Sequence, residues 1–143
     1  MHVRDCMSHD VRITSPQTTI RDAARLMKDV DTGALPVGDN DRLVGMITDR
    51  DIALRAVAEG RGADTPVRDV MTPDIEYVFE DDDIDDASSK MSRSKVRRLP
   101  VLSREKRLVG ILSLGDISQG GEASQGARAL SGVSKPGGPH AQA

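Results

Sequence analysis

Two hydroxyl–carboxylate pairs carry the chemistry that this sequence offers: Thr48 with Asp51, and Ser113 with Asp116. Each lies in a ten-residue stretch, LVGMITDRDI at residues 43–52 and LVGILSLGDI at residues 108–117. In both, an apolar run passes through Gly45 or Gly110 to the hydroxyl residue, and the acid follows three places on. That pattern predicts a strand feeding directly into a helix, with hydroxyl and carboxylate at the helix start. A carboxylate there accepts two hydroxyl hydrogen bonds and suits a ribose diol. The hydroxyl, beside helix N–H groups that lack partners, suits a phosphate or the ribose. The same residues also fit a capping box, although aspartate is shorter than the glutamate or glutamine that reaches back best. The residues alone leave both readings open.

The paired stretches belong to a longer duplication. Residues 3–37 laid on residues 67–101 give 12 identities in 35 pairs without a gap. Val3-Arg4-Asp5 meets Val67-Arg68-Asp69, Asp22-Ala23 meets Asp86-Ala87, and Leu35-Pro36-Val37 meets Leu99-Pro100-Val101. Chance would give roughly one identity in sixteen. The second copy carries one extra residue before its hydroxyl–acid stretch. The alignment also sets Asp31, Gly33 and Ala34 against Lys95, Arg97 and Arg98, so the candidate sites differ in charge. Arginine's planar fork is suited to phosphate. A second reading of the basic group is that it complements the C-terminal end of the preceding helix dipole.

The elements that must position these groups follow from periodicity. Val11-Arg12-Ile13 and residues 75–79 (Ile75, Glu76, Tyr77, Val78, Phe79) alternate and predict short strands. Thr18-Thr19 offers an N-cap to a helix with Ile20, Ala23, Ala24, Met27 and Val30 on one face. Ile84, Ala87, Ser88 and Met91 repeat that face, behind the acidic start Asp81-Asp82-Asp83. Residues 35–37 and 43–47 flank a turn cluster, Gly38 to Asp41, and predict a hairpin; residues 99–102 and 108–112 repeat it. A helix from Thr48, continuing over residues 53–59, and one from Ser113 close the copies. The expected order in each copy is β-α-β-β-α, an α/β class. The boundaries are 3–59 for the first copy, 60–66 for a linker, 67–118 for the second copy and 119–143 for a tail. In that tail 16 of 25 residues are Gly, Ala, Ser or Pro, which predicts disorder.

Composition narrows the partners. The net charge of −3, with one Tyr, one Phe and no Trp, gives neither a basic surface nor stacking platforms for nucleic acid. No apolar run approaches the ~20 residues of a membrane helix. The N-terminal stretch has no signal-like apolar core, and the single cysteine, Cys6, suits a reducing compartment, so a cytoplasmic location is expected. Cys6 aligns with Val70 and reads as a small apolar residue. His2, His9 and His140 share no metal-ligand or nucleophile spacing with Cys6 or paired acids, and no P-loop or dinucleotide fingerprint occurs. Catalytic residues, a metal and a required cofactor are therefore not expected.

Two β-α-β-β-α copies, each with a Pro-Val strand (Gly33-Ala34-Leu35-Pro36-Val37 in the first), a G-h-h-[TS]-x-x-D element and a lead-in Met7-Ser8 or Met71-Thr72, resemble a tandem pair of CBS domains, the Bateman module. The resemblance spans residues 3 to about 118. It implies two repeats packed about a pseudo-twofold axis in a stand-alone, non-catalytic regulatory protein. It also implies clefts between the repeats that bind an adenosine-containing ligand: AMP, ADP, ATP or S-adenosylmethionine. The residues it assigns to those sites are Thr48, Asp51, Ser113 and Asp116, with Lys95, Arg97 and Arg98 toward phosphate. Gly33, Ala34, Pro36, Pro100, Val11, Ile13, Ile75 and Tyr77 would line the rest. A homodimer through the helical faces is implied as well, since the helix from Thr48 carries Ile52, Ala53, Leu54, Ala56 and Val57. The alternative is a ligand-free module for dimerisation or for binding another protein.

Overall fold

Thr19 starts the first long helix, its hydroxyl oxygen accepting the Asp22 amide hydrogen at 3.2 Å, which satisfies one of the N–H groups a helix start leaves open. The computed structural model describes residues 1–120. Helix α1 (Ile20–Val30) buries Ile20, Ala23 and Met27 and ends at Asp31, which takes a left-handed φ of 56°. Strands β1 (Ala34–Asp39) and β2 (Arg42–Thr48) form the expected hairpin. Its two-residue turn has Asn40 and Asp41 at φ 53° and 65°, as a type I′ turn demands. Helix α2 begins at Asp49–Asp51 and continues as a π-helix over Ile52–Val57, short of the expected end near residue 59.

Copy two follows the same plan. Strand β3 (Thr72–Pro73) precedes β4 (Val78–Phe79), helix α3 (Ile84–Ser94), strands β5 (Arg98–Leu102) and β6 (Leu108–Ser113), and helix α4 (Leu114–Gly120). The extra residue is taken up in the β5–β6 turn, where the Ser103 N–H donates to the Arg107 carbonyl and Lys106 has φ 64°. Of the acidic run, only Asp83 caps α3; Asp82 accepts the Phe79 N–H, and Asp81 accepts the Arg104 Nε–H on both carboxylate oxygens, at 2.9 and 3.0 Å. Of the tail expected from residue 119, Gln119 and Gly120 belong to α4 and residues 121–143 lie outside the described residues.

One sheet takes in a strand from the other copy's sequence, and the other sheet takes in an isolated bridge from it. In one, the order is β1-β2-β3 with both pairings antiparallel; in the other, β4 runs parallel to β5 and β5 antiparallel to β6. The lead-in of copy two reaches β2 through Gly45↔Pro73 and Met46↔Thr72. That of copy one reaches β6 through Ser8↔Ile111. Two compact units result, one of Arg12–Ile75 and one of Met1–Val11 with residues 76–120; we call them the copy-one and copy-two units. Val67 and Val70 are fully buried in the copy-one core with Leu35, Val37 and Ile47, as Val3 is in the copy-two core with Leu99, Val101 and Leu112. Burying each such side chain contributes about 1.5–3 kcal/mol, so each copy's lead-in is anchored by the other copy's core.

Two expected strands are shorter than the alternation suggests. Val11 and Ile13 lie outside any strand, and only Thr14 bridges to β1, at Val37. Ile75 and Tyr77 precede β4 and are not part of it. The polar residues of these segments have no continuous partner strand, so alternation alone overstates them.

Two buried hydroxyls, Thr14 Oγ1 and Ser88 Oγ, have no hydrogen-bond partner among the described residues. Copy two has Val78 where copy one has Thr14. Thr14→Val is therefore expected to stabilise the fold by about 1–2 kcal/mol, since it removes an unmatched buried donor at almost constant volume. A urea midpoint that rises at constant slope checks this; a fall would show that the hydroxyl has a partner the structure does not reveal.

Candidate functional site

Each hydroxyl–carboxylate pair sits where a hairpin's second strand enters a helix. In the copy-one unit, the Asp51 N–H donates to Thr48 Oγ1 and the Thr48 N–H donates to Asp51 Oδ2, both at 3.0 Å. In the copy-two unit, the Asp116 N–H donates to Ser113 Oγ at 3.1 Å and the Ser113 N–H to Asp116 Oδ2 at 2.9 Å. The capping box is thus formed in both copies. It does not exhaust either group. Each hydroxyl accepts in the box and keeps its own hydrogen to donate, while a carboxylate has about four lone-pair sites, of which the box uses one.

The helix N–H groups expected to be open are largely taken. In α2, the Asp49 N–H donates to the Gly33 carbonyl at 2.9 Å, the Arg50 N–H to Asp49 Oδ1 at 2.8 Å, and the Asp51 N–H to Thr48. In α4, the Leu114 N–H donates to the Arg97 carbonyl at 2.9 Å. A phosphate at either joint would therefore meet side chains rather than a free row of amides. This corrects the expectation drawn from the helix start.

The same bonds pull the strand preceding each joint into place. Gly33 and Arg97 are fixed by their carbonyls on the first helical N–H, and the next residues pair across the hairpin, Ala34 opposite Thr48 and Arg98 opposite Ser113. Arg98 is half-buried; burial lowers its pKa from the ordinary guanidinium value, and the Asp116 carboxylate nearby works in the opposite direction. Lys95 is exposed in a left-handed turn, φ 55°, that closes α3, as Asp31 is at the end of α1. Hydroxyl, carboxylate and the Arg98 guanidinium are thus adjacent in the copy-two unit, while Gly33 and Ala34 stand beside the hydroxyl and carboxylate in the copy-one unit.

The remaining expected residues are less tightly gathered. Pro36 and Pro100 are buried two places along the strands, opposite Met46 and Ile111. Tyr77, just before β4, packs edge-to-face with Phe79 at 5.5 Å, and its carbonyl accepts from Lys90 Nζ at 2.7 Å. Ile13, 42% exposed, leans toward Gly38 at the hairpin end. Val11 and Ile75 are half-buried where the chain leaves one unit for the other. The residue that sequence reading missed is Arg55. Its Nε lies 3.8 Å from Asp51 Oδ1, and its Nη1 donates to the carbonyls of Val70 and Met71 at 3.3 and 3.2 Å. The four-residue spacing of Asp51 and Arg55 on one helix was the available signal.

Cys6 packs at the edge of the copy-two core, and burial pushes its thiol up from the ordinary value, away from nucleophilic thiolate. Among the described residues, no three His, Cys, Asp or Glu side chains gather as a metal site, and no helix is long and apolar enough to cross a membrane.

A two-sheet α/β protein with a duplicated strand–helix joint of this kind defines a tandem repeat of two small domains. The family model for the CBS domain matches residues 3–57 and 67–120, and the chain belongs to the CBS domain family, with two such domains in tandem. It is 44% identical over 116 residues to the CBS domain-containing protein YhcV of Bacillus subtilis, covering 81% of this chain and 82% of that one. It is 38% identical over 135 residues to inosine-5'-monophosphate dehydrogenase of Methanocaldococcus jannaschii, covering 92% of this chain but 26% of the enzyme, so such domains also occur within larger enzymes. Among solved structures, Hypoxic Response Protein I, described with two coordinated zinc ions, superposes with a TM-score of 0.77 at 38% identity, over 83% of this chain and 98% of that one. CBSX2 in complex with AMP gives 0.72 at 29%, over 82% and 93%. The CBS pair of MJ0100, in complex with 5'-methylthioadenosine and S-adenosylmethionine, gives 0.72 at 31%, over 83% and 94%.

Proposed function

We propose that the chain is a non-catalytic cytoplasmic sensor that binds an adenosine-containing ligand, AMP, ADP, ATP or S-adenosylmethionine, and changes its partner contacts in response. The observation that carries this reading is the cross-strand pair Arg98↔Ser113 beside Asp116. It brings a diol acceptor, a hydroxyl donor and a phosphate-binding cation within one hairpin-to-helix joint. Asp116 takes the ribose hydroxyls, Ser113 donates to a ribose or phosphate oxygen, and Arg97, Arg98 and Lys95 carry the anionic end. Relatives described with AMP, 5'-methylthioadenosine and S-adenosylmethionine support the ligand class.

A thermal-shift series with AMP, ADP, ATP and S-adenosylmethionine tests it. Ligand at ~100 times its dissociation constant stabilises by about 2.7 kcal/mol, a rise of several degrees for a module of this size. Absence of any shift at millimolar ligand would defeat the sensor reading.

A second reading, association of two copies, draws on one specific observation. Leu54 and Val57 on the π-helical part of α2 are 49% and 69% exposed, with Ala53 exposed beside them. We assign this apolar stripe to a homodimer contact, because an open stripe of this kind on a lone module invites aggregation. Leu54→Glu is expected to shift sedimentation equilibrium from dimer toward monomer with little change in unfolding midpoint. A parent protein that runs at 15.4 kDa removes the dimer.

A further inference from the structure

The two strand–helix joints share a backbone and differ in charge at almost every position around it. In the copy-two unit the strand entering the joint brings Arg97 and Arg98, preceded by Lys95, with Asp116 as the carboxylate of the box. In the copy-one unit the equivalent of Lys95 is Asp31, in the same left-handed turn, φ 56° against 55°. The equivalents of Arg97 and Arg98 are Gly33 and Ala34, held by the same carbonyl bond and the same cross-strand pairing. Asp49 stands where copy two has Leu114, and its Oδ1 accepts the Arg50 N–H. The copy-one joint therefore carries three carboxylates, Asp31, Asp49 and Asp51, against two arginines. One of those arginines, Arg55, is already committed to Asp51 and to the carbonyls of Val70 and Met71. Asp51 is only 16% exposed, so its charge acts with little solvent screening on anything held beside it.

We infer that the two joints take different ligands: the copy-two joint a nucleotide with a 5′-phosphate, and the copy-one joint an adenosine whose 5′ position carries no negative charge. This rests on the adenosine-binding reading and adds the division of ligand class between the joints. At the copy-one joint Asp51 still offers a diol acceptor and Thr48 a hydroxyl donor, so the nucleoside part finds the same partners. A phosphate placed where Ala34 replaces Arg98 would meet no cation from that strand, at a joint whose neighbouring positions Asp31 and Asp49 are acidic where copy two has Lys95 and Leu114. Like charges opposed in this way disfavour AMP against adenosine at the copy-one joint by about tenfold or more.

Calorimetric titration with AMP and adenosine separates the possibilities. The parent chain is expected to bind one AMP, and the AMP-saturated protein is expected to bind one further adenosine. Asp51→Asn should abolish the adenosine step, and Asp116→Asn the AMP step. Ala34→Arg, which installs the missing cation at a half-buried position, should let AMP compete for the second place. Two equivalents of AMP of equal affinity in the parent, or loss of the AMP step on Asp51→Asn, would overturn the division while leaving the adenosine reading intact. No binding of either compound overturns both. Far-UV circular dichroism of each variant guards against a folding defect, and a variant that unfolds is replaced by the milder pair Thr48→Val and Arg98→Gln, with the same outcomes read.

Discussion

Gly110→Val is expected to destabilise the protein by at least about 3 kcal/mol, the upper range for forcing extra methyl groups into a packed site. Even the first carbon of a side chain at this position would lie 2.6 Å from Met7 Sδ and 2.8 Å from the Ser8 carbonyl oxygen. Met7 has a flexible side chain and could move. Ser8 cannot, because it exchanges two backbone hydrogen bonds with Ile111, at 2.8 and 3.0 Å. The substitution must therefore expel the lead-in segment or break that pair, and it takes Val3 and Met7 out of the copy-two core. Gly45→Val should do the same in the copy-one unit, where the added carbon would meet the Thr72 carbonyl oxygen at 2.7 Å. Urea unfolding gives the size of the loss. A loss under about 0.5 kcal/mol would show that the lead-in segments are dispensable.

Asp116→Ala carries the largest expected effect on binding. A ribose diol held by a carboxylate makes two charge-assisted hydrogen bonds, each contributing about 1.5–3 kcal/mol. Removing both should weaken AMP by on the order of 100-fold or more. The substitution also deletes the acceptor for the Ser113 N–H, at a cost of about 1 kcal/mol to the helix start. Asp116→Asn separates the two roles, because its side-chain oxygen can still accept from Ser113 while its charge is gone. Affinity that falls with Asp116→Ala but not at all with Asp116→Asn would reduce the residue to a cap.

Much of this was legible in the chain because duplication supplies its own control. The hairpin of β1 and β2 was marked by Gly38 to Asp41 between two apolar runs, and its repetition around Ser103 excluded coincidence. Thr19 announced α1, and the Thr48–Asp51 spacing announced the strand–helix joint. Less legible were features that depend on partners distant in sequence. Val11 and Ile13 alternate like a strand but find only one bridge, at Thr14. The exchange of lead-in segments was hidden because Val3 and Val67 are identical residues in identical contexts, so nothing local says whose core each fills. The first N–H of each of these helices looked open because its acceptor, the carbonyl of Gly33 or Arg97, is a backbone atom that no residue type advertises. Arg55 was overlooked for a related reason, since two of its three contacts are to carbonyls of Val70 and Met71.

The joint at Ser113–Asp116, with Arg97 and Arg98 on the strand beside it, is the proposed nucleotide site. Titration of AMP into 15N-labelled protein, followed by amide chemical shifts, tests it most directly. The predicted result is saturable movement of the amides of residues 97–98 and 113–116, with one dissociation constant. Saturable shifts confined to other residues, or no shifts at millimolar AMP, would contradict it.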